Sequence, residues 1–446
     1  MKQSSLLVAN GRLITRDPAN PFIADGGILI EGNTITEVGE TQALKQKYPD
    51  IEYIDAHGRL IMPGFINTHM HYYSTFARGL SLGGKPATMF SEVLKGLWWR
   101  LDKALTLDDV YYSAIIPMIE QVKCGVTTAI DHHASPFCVT GSLFKIAEAA
   151  EKIGMRSNLC YETSDRDGEK IKDEGIAENV DFIKTCNEKN DDMLRGLFGL
   201  HASMTVSEKT LDECLSAAAG VNTGFHVHSA EGIEDVTNTL EHHGMRVIER
   251  YYKTGVLSEK TIAVHCIHIT PDEMEMLKDR NVAVVHNPES NMGNAVGTSP
   301  VLKMFEKGIL VGLGTDGYTA DMLESYKVAN ILHKHAAGLP SVGWGEPPAM
   351  LFDNNKKIAK RFMSGKIGTL APGHYADVIV VDYDPPTPLS ADNINGHILF
   401  GMSGRLVDTT IINGKVIIQD RVFKEIDEAA ITAKARECAT ALWKRV

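Results

Sequence analysis

Two histidines one residue apart, His69 and His71, close the apolar run Leu60-Ile-Met-Pro-Gly-Phe-Ile-Asn-Thr-His-Met-His71. Alternate residues of a β-strand point to the same side, so the pair aims two imidazoles at one point. Neutral imidazole is a zinc ligand, and two from a rigid strand make half of a tetrahedral site. Three later strand ends carry complementary groups. Gly224-Phe-His-Val-His-Ser-Ala-Glu231 ends on His228, with Glu231 three residues on. His226 shares that strand face, and spacing alone does not choose between the two imidazoles. Ala263-Val-His-Cys-Ile-His268 offers His265 and His268, and Val311-Gly-Leu-Gly-Thr-Asp-Gly317 sets Asp316 among glycines.

Two histidines from one strand end, one from another and an aspartate make an N₃O site with room for a water. A divalent ion there can lower the pKa of that water from ~15.7 to ~7. Glu231 is then placed to move protons from the water to a ring nitrogen and on to a leaving amine. His265 would polarise or hydrogen-bond developing charge, and Asp316 would bind metal and orient the nucleophile. Each residue also has a plainer role. His226 reads as a packed strand histidine, Glu231 as a first-turn glutamate favoured by the helix dipole, Asp316 as a helix N-cap and His268 as structural or supporting.

The elements that must position these groups repeat one rhythm between residues 60 and 317. Eight β-rich runs, Leu60–His71, Val126–His133, Arg156–Thr163, Arg195–His201, Thr223–His228, Thr261–His268, Val282–Pro288 and Ile309–Asp316, alternate with amphipathic stretches. Helices are predicted over Leu107–Lys123, Gly141–Ile153, Val206–Ala219, Ile233–Tyr252 and Pro271–Arg280. Strands alternating with helices imply a parallel sheet, and eight units imply a (β/α)₈ TIM barrel, whose active sites lie at the C-terminal strand ends. Both chain ends instead read as short strands with Gly turns. The expected organisation is a β-sandwich half at 1–57, the barrel at 58–364, the other half at 365–423 and a helix at 424–446.

Composition bounds the partners. The 446 residues are 43% hydrophobic and 23% charged, with a formal charge of −12, which argues against nucleic acid or an anionic membrane. The first ten residues lack a signal-peptide h-region, and no stretch reaches the ~20 apolar residues that span a bilayer. Seven scattered cysteines with no C-x-x-C pair point to reduced thiols in the cytoplasm. Any metal must therefore be held by His and carboxylates, and the expected partner is a small molecule.

The motifs Pro63-Gly-Phe-Ile-Asn-Thr-His-Met-His71, Gly125-Val-Thr-Thr128, Gly199-Leu-His-Ala202, His228-Ser-Ala-Glu231, His265-Cys-Ile-His268, Asn287-Pro-Glu-Ser-Asn291, Gly314-Thr-Asp316 and Ala371-Pro-Gly-His-Tyr-Ala-Asp377 together resemble the amidohydrolase superfamily. The likeness is to its branch of guanine, adenosine-homologue and triazine deaminases and chlorohydrolases, and within that to aminohydrolases associated with selenium metabolism. The resemblance implies that His69, His71, His228 and Asp316 hold one metal per chain, zinc or in some members iron. It implies proton transfer and polarisation by Glu231 and His265, and it favours His228 over His226. Two-metal members carry a lysine at the end of strand four, which here reads Gly196-Leu-Phe-Gly-Leu-His-Ala202, so one metal is expected. Chlorohydrolases of the branch tend to lose the glutamate, so Glu231 favours deamination.

Substrate contacts are expected from His201, Asn291 and Arg78, with Ser290 and the Asp131-His132-His133 run as further candidates. Tyr72, Tyr73, Phe76, Trp98, Trp99 and Arg100 could stack on or pair with a planar ring. The function expected is a metal-dependent aminohydrolase of an amino-substituted nitrogen heterocycle. The rivals are hydrolysis of another C–N or C–X bond and a catalytically idle scaffold. Homo-oligomers are common for such a fold, by analogy only.

Overall fold

Gly64 divides the first apolar run. A Cβ there would collide with the Thr127 side chain, and the chain changes sheet at that point. In the computed structural model, which describes residues 5–446, Leu60–His71 is therefore two strands rather than the single one the spacing predicts. The first four residues of the expected terminal domain lie outside the described residues.

β1 (Ser5–Ile14), β2 (Phe22–Glu31), β3 (Thr34–Glu40), β4 (Glu52–Asp55) and β5 (Leu60–Pro63) come before the split. They join β15 (Val378–Val381), β16 (Val407–Ile412), β17 (Lys415–Gln419) and β18 (Val422–Phe423) in one nine-stranded sheet. Its order is β18-β17-β16-β15-β5-β1-β2-β3, with β4 against β1. The two chain ends meet where β5 runs antiparallel to β15, Met62 opposite Ile379. Val8, Leu13, Ile28, Ile61, Val378 and Val380 bury one face. A hairpin forms between β16 and β17, with Asn413 (φ 51°) and Gly414 (φ 79°) both left-handed, as a type I′ turn requires.

The intervening strands form two parallel sheets. β6 (Phe65–Met70), β7 (Val126–Asp131), β8 (Arg156–Leu159) and β9 (Leu194–Gly196) make one. The other consists of β10 (Phe198–Leu200), β11 (Phe225–Ser229), β12 (Ile262–His265), β13 (Ala283–His286) and β14 (Leu310–Leu313). β9 and β10 are the two halves of the fourth predicted run, one paired to β8 and the other to β11. At the opposite edges, the amides of Thr315 and Asp316 donate to His69 O at 3.0 and 3.1 Å. The result is TIM-barrel-like, with mixed α/β content.

Asn355 stitches that second edge. Its amide nitrogen donates to Ile66 O (2.7 Å) and Leu313 O (2.9 Å), while its oxygen accepts from Leu313 N–H (2.8 Å). At the opposite, N-terminal ends of the strands, fully buried Arg156 pairs with Asp377 of the terminal sheet. Asp377 also accepts the Asn413 N–H at 2.8 Å.

Helices Leu107–Lys123, Ser142–Ile153, Glu208–Ala219 and Pro271–Asp279 fall where periodicity predicts. The stretch Ile233–Tyr252 breaks at left-handed Gly244 into Ile233–His243 and Val247–Thr254, since a glycine there ends a helix without strain. The 21-residue helix Glu169–Lys189 was not predicted. The C-terminal helix, Glu428–Leu442, packs on Leu107–Lys123, where Lys123 and Glu428 pair at 2.7 Å. Among the described residues no helix is long and apolar enough to cross a membrane.

Candidate active site

His69 and His71 flank Met70 at the carboxyl end of β6, and His228 sits near the end of β11. Each ring is held through Nδ1. His69 Nδ1 lies 2.9 Å from His226 Nε2, His71 Nδ1 2.5 Å from His132 O, and His228 Nδ1 3.0 Å from His201 O. The carbonyls fix His71 and His228 with Nδ1–H donating and the Nε2 lone pair free. His226, which shares the strand face of His228, is turned instead toward His69, and its own Nδ1 faces Cys160 Sγ at 3.5 Å.

The three Nε2 atoms converge. Those of His71 and His228 are 3.2 Å apart, and Asp316 Oδ1 lies 3.3 Å from His71 Nε2 and 3.8 Å from His69 Nε2. His69 Nε2 is buried with no hydrogen-bond partner. Burial, reinforced by the neighbouring histidines, holds His69 and His228 well below the usual imidazole pKa, so both rings are neutral. Converging lone pairs beside a carboxylate repel one another until a cation stands among them. The donor set, three neutral imidazoles and one carboxylate, fits a divalent ion of the zinc type.

Glu231 and His265 stand beside this cluster. His265 Nε2 is 3.6 Å from Glu231 Oε2 and 3.6 Å from Asp316 Oδ2. His265 Nδ1 lies 2.8 Å from Asn291 Oδ1, an acceptor that turns Nε2 toward the two carboxylates. Burial raises the Glu231 carboxyl well above its ordinary value, and Asp316 and Asp235 push the same way. Asp316 is pushed the other way: His71 and His265, helped by Ser290 and the Gly317 amide, hold its carboxyl below the ordinary value despite burial. Two carboxylates with opposite protonation preferences side by side are an acid–base arrangement. Ala230 (φ 50°), His265 (φ 68°), Cys266 (φ 48°) and Asp316 (φ 52°) are all left-handed. Such backbone is unfavourable for non-glycine residues and gathers at functional strand ends.

Above the cluster opens a pocket walled by Tyr73, Trp98, Trp99, Glu162, His201 and Ser290 among others. Its aromatic side suits a flat ring.

The sequence model of the amidohydrolase family matches residues 60–417. The chain belongs to the amidohydrolase family. This amidohydrolase is 29% identical over 446 residues to a 5-methylthioadenosine/S-adenosylhomocysteine deaminase of Pelotomaculum thermopropionicum, covering 99% of this chain and 100% of that one. It is 31% identical over 415 residues to a 5'-deoxyadenosine deaminase of Methanocaldococcus jannaschii, covering 92% and 95%. In structure it superposes on a zinc-bound adenosine deaminase from Xanthomonas campestris with a TM-score of 0.87 at 20% identity, over 99% of each chain.

The amidohydrolase site gathers His69, His71, His228, Asp316, Glu231 and His265, as the sequence predicts, and His201 reaches the cavity. Two expectations change. Asn291 lies fully buried behind His265 and orients that ring rather than facing the cavity. Arg78 points outward, its guanidinium forked onto Glu120 at 2.6 and 2.8 Å, because the loop after β6 turns away there. His268 is half-buried and outside the cavity. Of the other loop residues, Tyr72 and Phe76 pack in the core, and Arg100 donates to Val446 O. Asp131 accepts the Tyr72 amide at 2.7 Å, and His133 lies 2.9 Å from Ser135 Oγ.

Sequence reasoning missed Glu162, which follows β8. Its Oε2 is 3.2 Å from His132 Nδ1, and its Oε1 is 3.5 Å from Arg166 and 3.6 Å from His201 Nε2. Arg166 in turn pairs with Asp102 at 2.8 Å and lies 5.0 Å from the Trp99 ring. Burial pushes the Glu162 carboxyl up, but His201, His132 and Arg166 outweigh it and hold it well below the usual range. The available signal was a charged residue at a strand end, the same rule that found Asp316.

Proposed function

We propose that this amidohydrolase hydrolytically deaminates an amino-substituted nitrogen heterocycle, using one divalent metal, zinc or alternatively iron, held by His69, His71, His228 and Asp316. One observation carries the reading: the Nε2 atoms of three buried histidines and the Asp316 carboxylate converge beside Glu231, whose burial favours its protonated form. A divalent ion bound there supplies a Lewis acid and makes a water acidic enough to attack at neutral pH.

The remaining steps belong to the chain. Glu231 protonates the ring nitrogen beside the amino-bearing carbon, which makes that carbon electrophilic. It regains a proton from the attacking water and delivers it to the departing amine, and as the carbonyl forms, the proton remaining on the added oxygen returns to Glu231. His265, aimed by Asn291, hydrogen-bonds the oxygen that is adding to the ring. Tyr73 and Trp98 line the ring's cavity and keep bulk water from it. The adenosine-derivative deaminases among the relatives support this reaction class.

The same reading makes the two parallel sheets one closed (β/α)₈ barrel over roughly 65–364 and folds the terminal sheet, β1 to β5 with 365–423, into a sandwich. The edge hydrogen bonds at His69 and Asn355 support closure. Seven unpaired cysteines support a reducing, cytoplasmic setting, and the negative charge supports a small-molecule substrate without nucleic-acid or membrane partners. A homo-oligomer is consistent with the fold by analogy alone.

The test is ammonia release by zinc-loaded protein across amino-purines, aminopyrimidines, pterins and triazines. Release from one scaffold is expected. No release from any of them, with one metal per chain measured, would overturn deamination in favour of another bond; two metals per chain would favour a binuclear cyclic amidase.

A further inference from the structure

Glu162 is a second buried carboxylate on the cavity wall, and nothing in the deamination chemistry uses it. Glu231 groups with His265 and Asp316, whereas Glu162 groups with His71, His132 and His228, the nitrogen and oxygen atoms of each group lying within 4.8 Å of one another. The two carboxylates therefore bracket the place where a substrate ring must lie. An ionised carboxylate is purely an acceptor, with about four lone-pair positions. His132 on one oxygen, and Arg166 with His201 3.6 Å away on the other, still leave acceptor positions open toward the cavity. A guanidinium 3.5 Å away opposes a second divalent cation in the same place.

We propose, resting on the deamination reading, that Glu162 selects the substrate by accepting hydrogen bonds from N–H groups on the ring edge remote from the carbon that loses its amine. The substrate class is then a heterocycle with at least one ring N–H, of lactam or ureide type. The carboxylate is too near His71 and His228 to serve a substituent carried further out, so the ring itself meets it. A 6-aminopurine glycosylated on its imidazole ring presents only acceptor nitrogens at its ring edges, apart from the departing amine. Such a ring would bring an acceptor against the Glu162 carboxylate, and a site built to bond an N–H rejects an analogue lacking it by up to about 10⁴-fold.

The experiment measures binding to zinc-loaded protein by calorimetry, with xanthine against caffeine and uracil against 1,3-dimethyluracil, for wild type and Glu162→Gln. Methyl groups also add bulk, so the decisive comparison is across the variant. The N–H member of at least one pair should bind at least tenfold tighter to wild type. Glu162→Gln should lose at least tenfold on that member, with the methylated member and the zinc content unchanged. Glu162→Asp, which keeps the charge but withdraws it, should raise KM for any substrate found while sparing kcat. Equal binding within both pairs, or an unaltered Kd in Glu162→Gln, overturns the proposal. So does a fall from two metals to one in Glu162→Gln, which would make Glu162 a ligand. Ammonia release is read separately: if none occurs but the N–H preference is lost in Glu162→Gln, deamination fails and the role of Glu162 stands.

Discussion

The two ends of the parallel strands treat buried charge in opposite ways. At the amino ends, Arg156 is fully buried but paired with Asp377, which also takes the Asn413 amide. At the carboxyl ends, His69 Nε2 and His265 Nε2 are buried without hydrogen-bond partners, and carboxylates stand near imidazoles at 3.3–3.8 Å rather than in closed hydrogen bonds. A paired buried charge fixes how two sheets join. Unpartnered imidazole nitrogens beside carboxylates at a strand end point to a ligand that completes them. The contrast separates residues that hold the fold from residues that wait for something.

Substitutions at the two ends should therefore fail differently. Glu231→Gln should lower kcat by about 10³-fold while melting temperature and metal content stay put; retained turnover would remove Glu231 from the chemistry. Asp377→Ala leaves Arg156 buried and uncompensated, a loss of about 3–5 kcal/mol in unfolding free energy, measurable by urea titration. Replacing Arg156 and Asp377 together with leucine should recover much of that loss, and no recovery would mean the pair does more than neutralise itself. His226→Leu takes away the partner of His69 Nδ1 and should weaken zinc binding about 10–100-fold in a competition with a chelator; unchanged affinity would make His226 mere packing. Arg78→Ala, on an exposed ion pair, should shift stability by less than about 0.5 kcal/mol and leave kcat/KM alone. A tenfold loss of activity would mean the loop after β6 closes onto substrate.

Strand ends were legible in the sequence because short, doubly buried parallel strands read as apolar runs, and a polar residue at the end of such a run has few reasons to be there. His69, His71, His228, His265 and Asp316 were found in this way. The split at Gly64 was not legible, since Leu60–Pro63 is buried in either sheet and its pattern is the same. Nor could spacing choose between His226 and His228: both project from one strand face, and the choice rests on His69, 157 positions away. Glu162 was passed over because no histidine neighbours it in sequence, although its partners converge in space. Arg78 was mistaken for a substrate contact because side-chain direction in a loop depends on tertiary packing. The helix Glu169–Lys189 escaped notice because its apolar stripe is sparse among charges.

Asn355 and the amides of Thr315 and Asp316 hold β6 against β14, and the Thr68 hydroxyl donates to Leu313 O across 245 positions of sequence. Contacts of that range form late, because so much chain must first be ordered between them. His69 and His71 ride on one side of this seam and Asp316 on the other. On the proposed ligand set, a chain whose seam is still open holds its histidines apart from Asp316 and never offers a metal the full set. On that reading, capture of an ion would mark completed folding, and a stalled or truncated chain would stay metal-poor and inert rather than half-active.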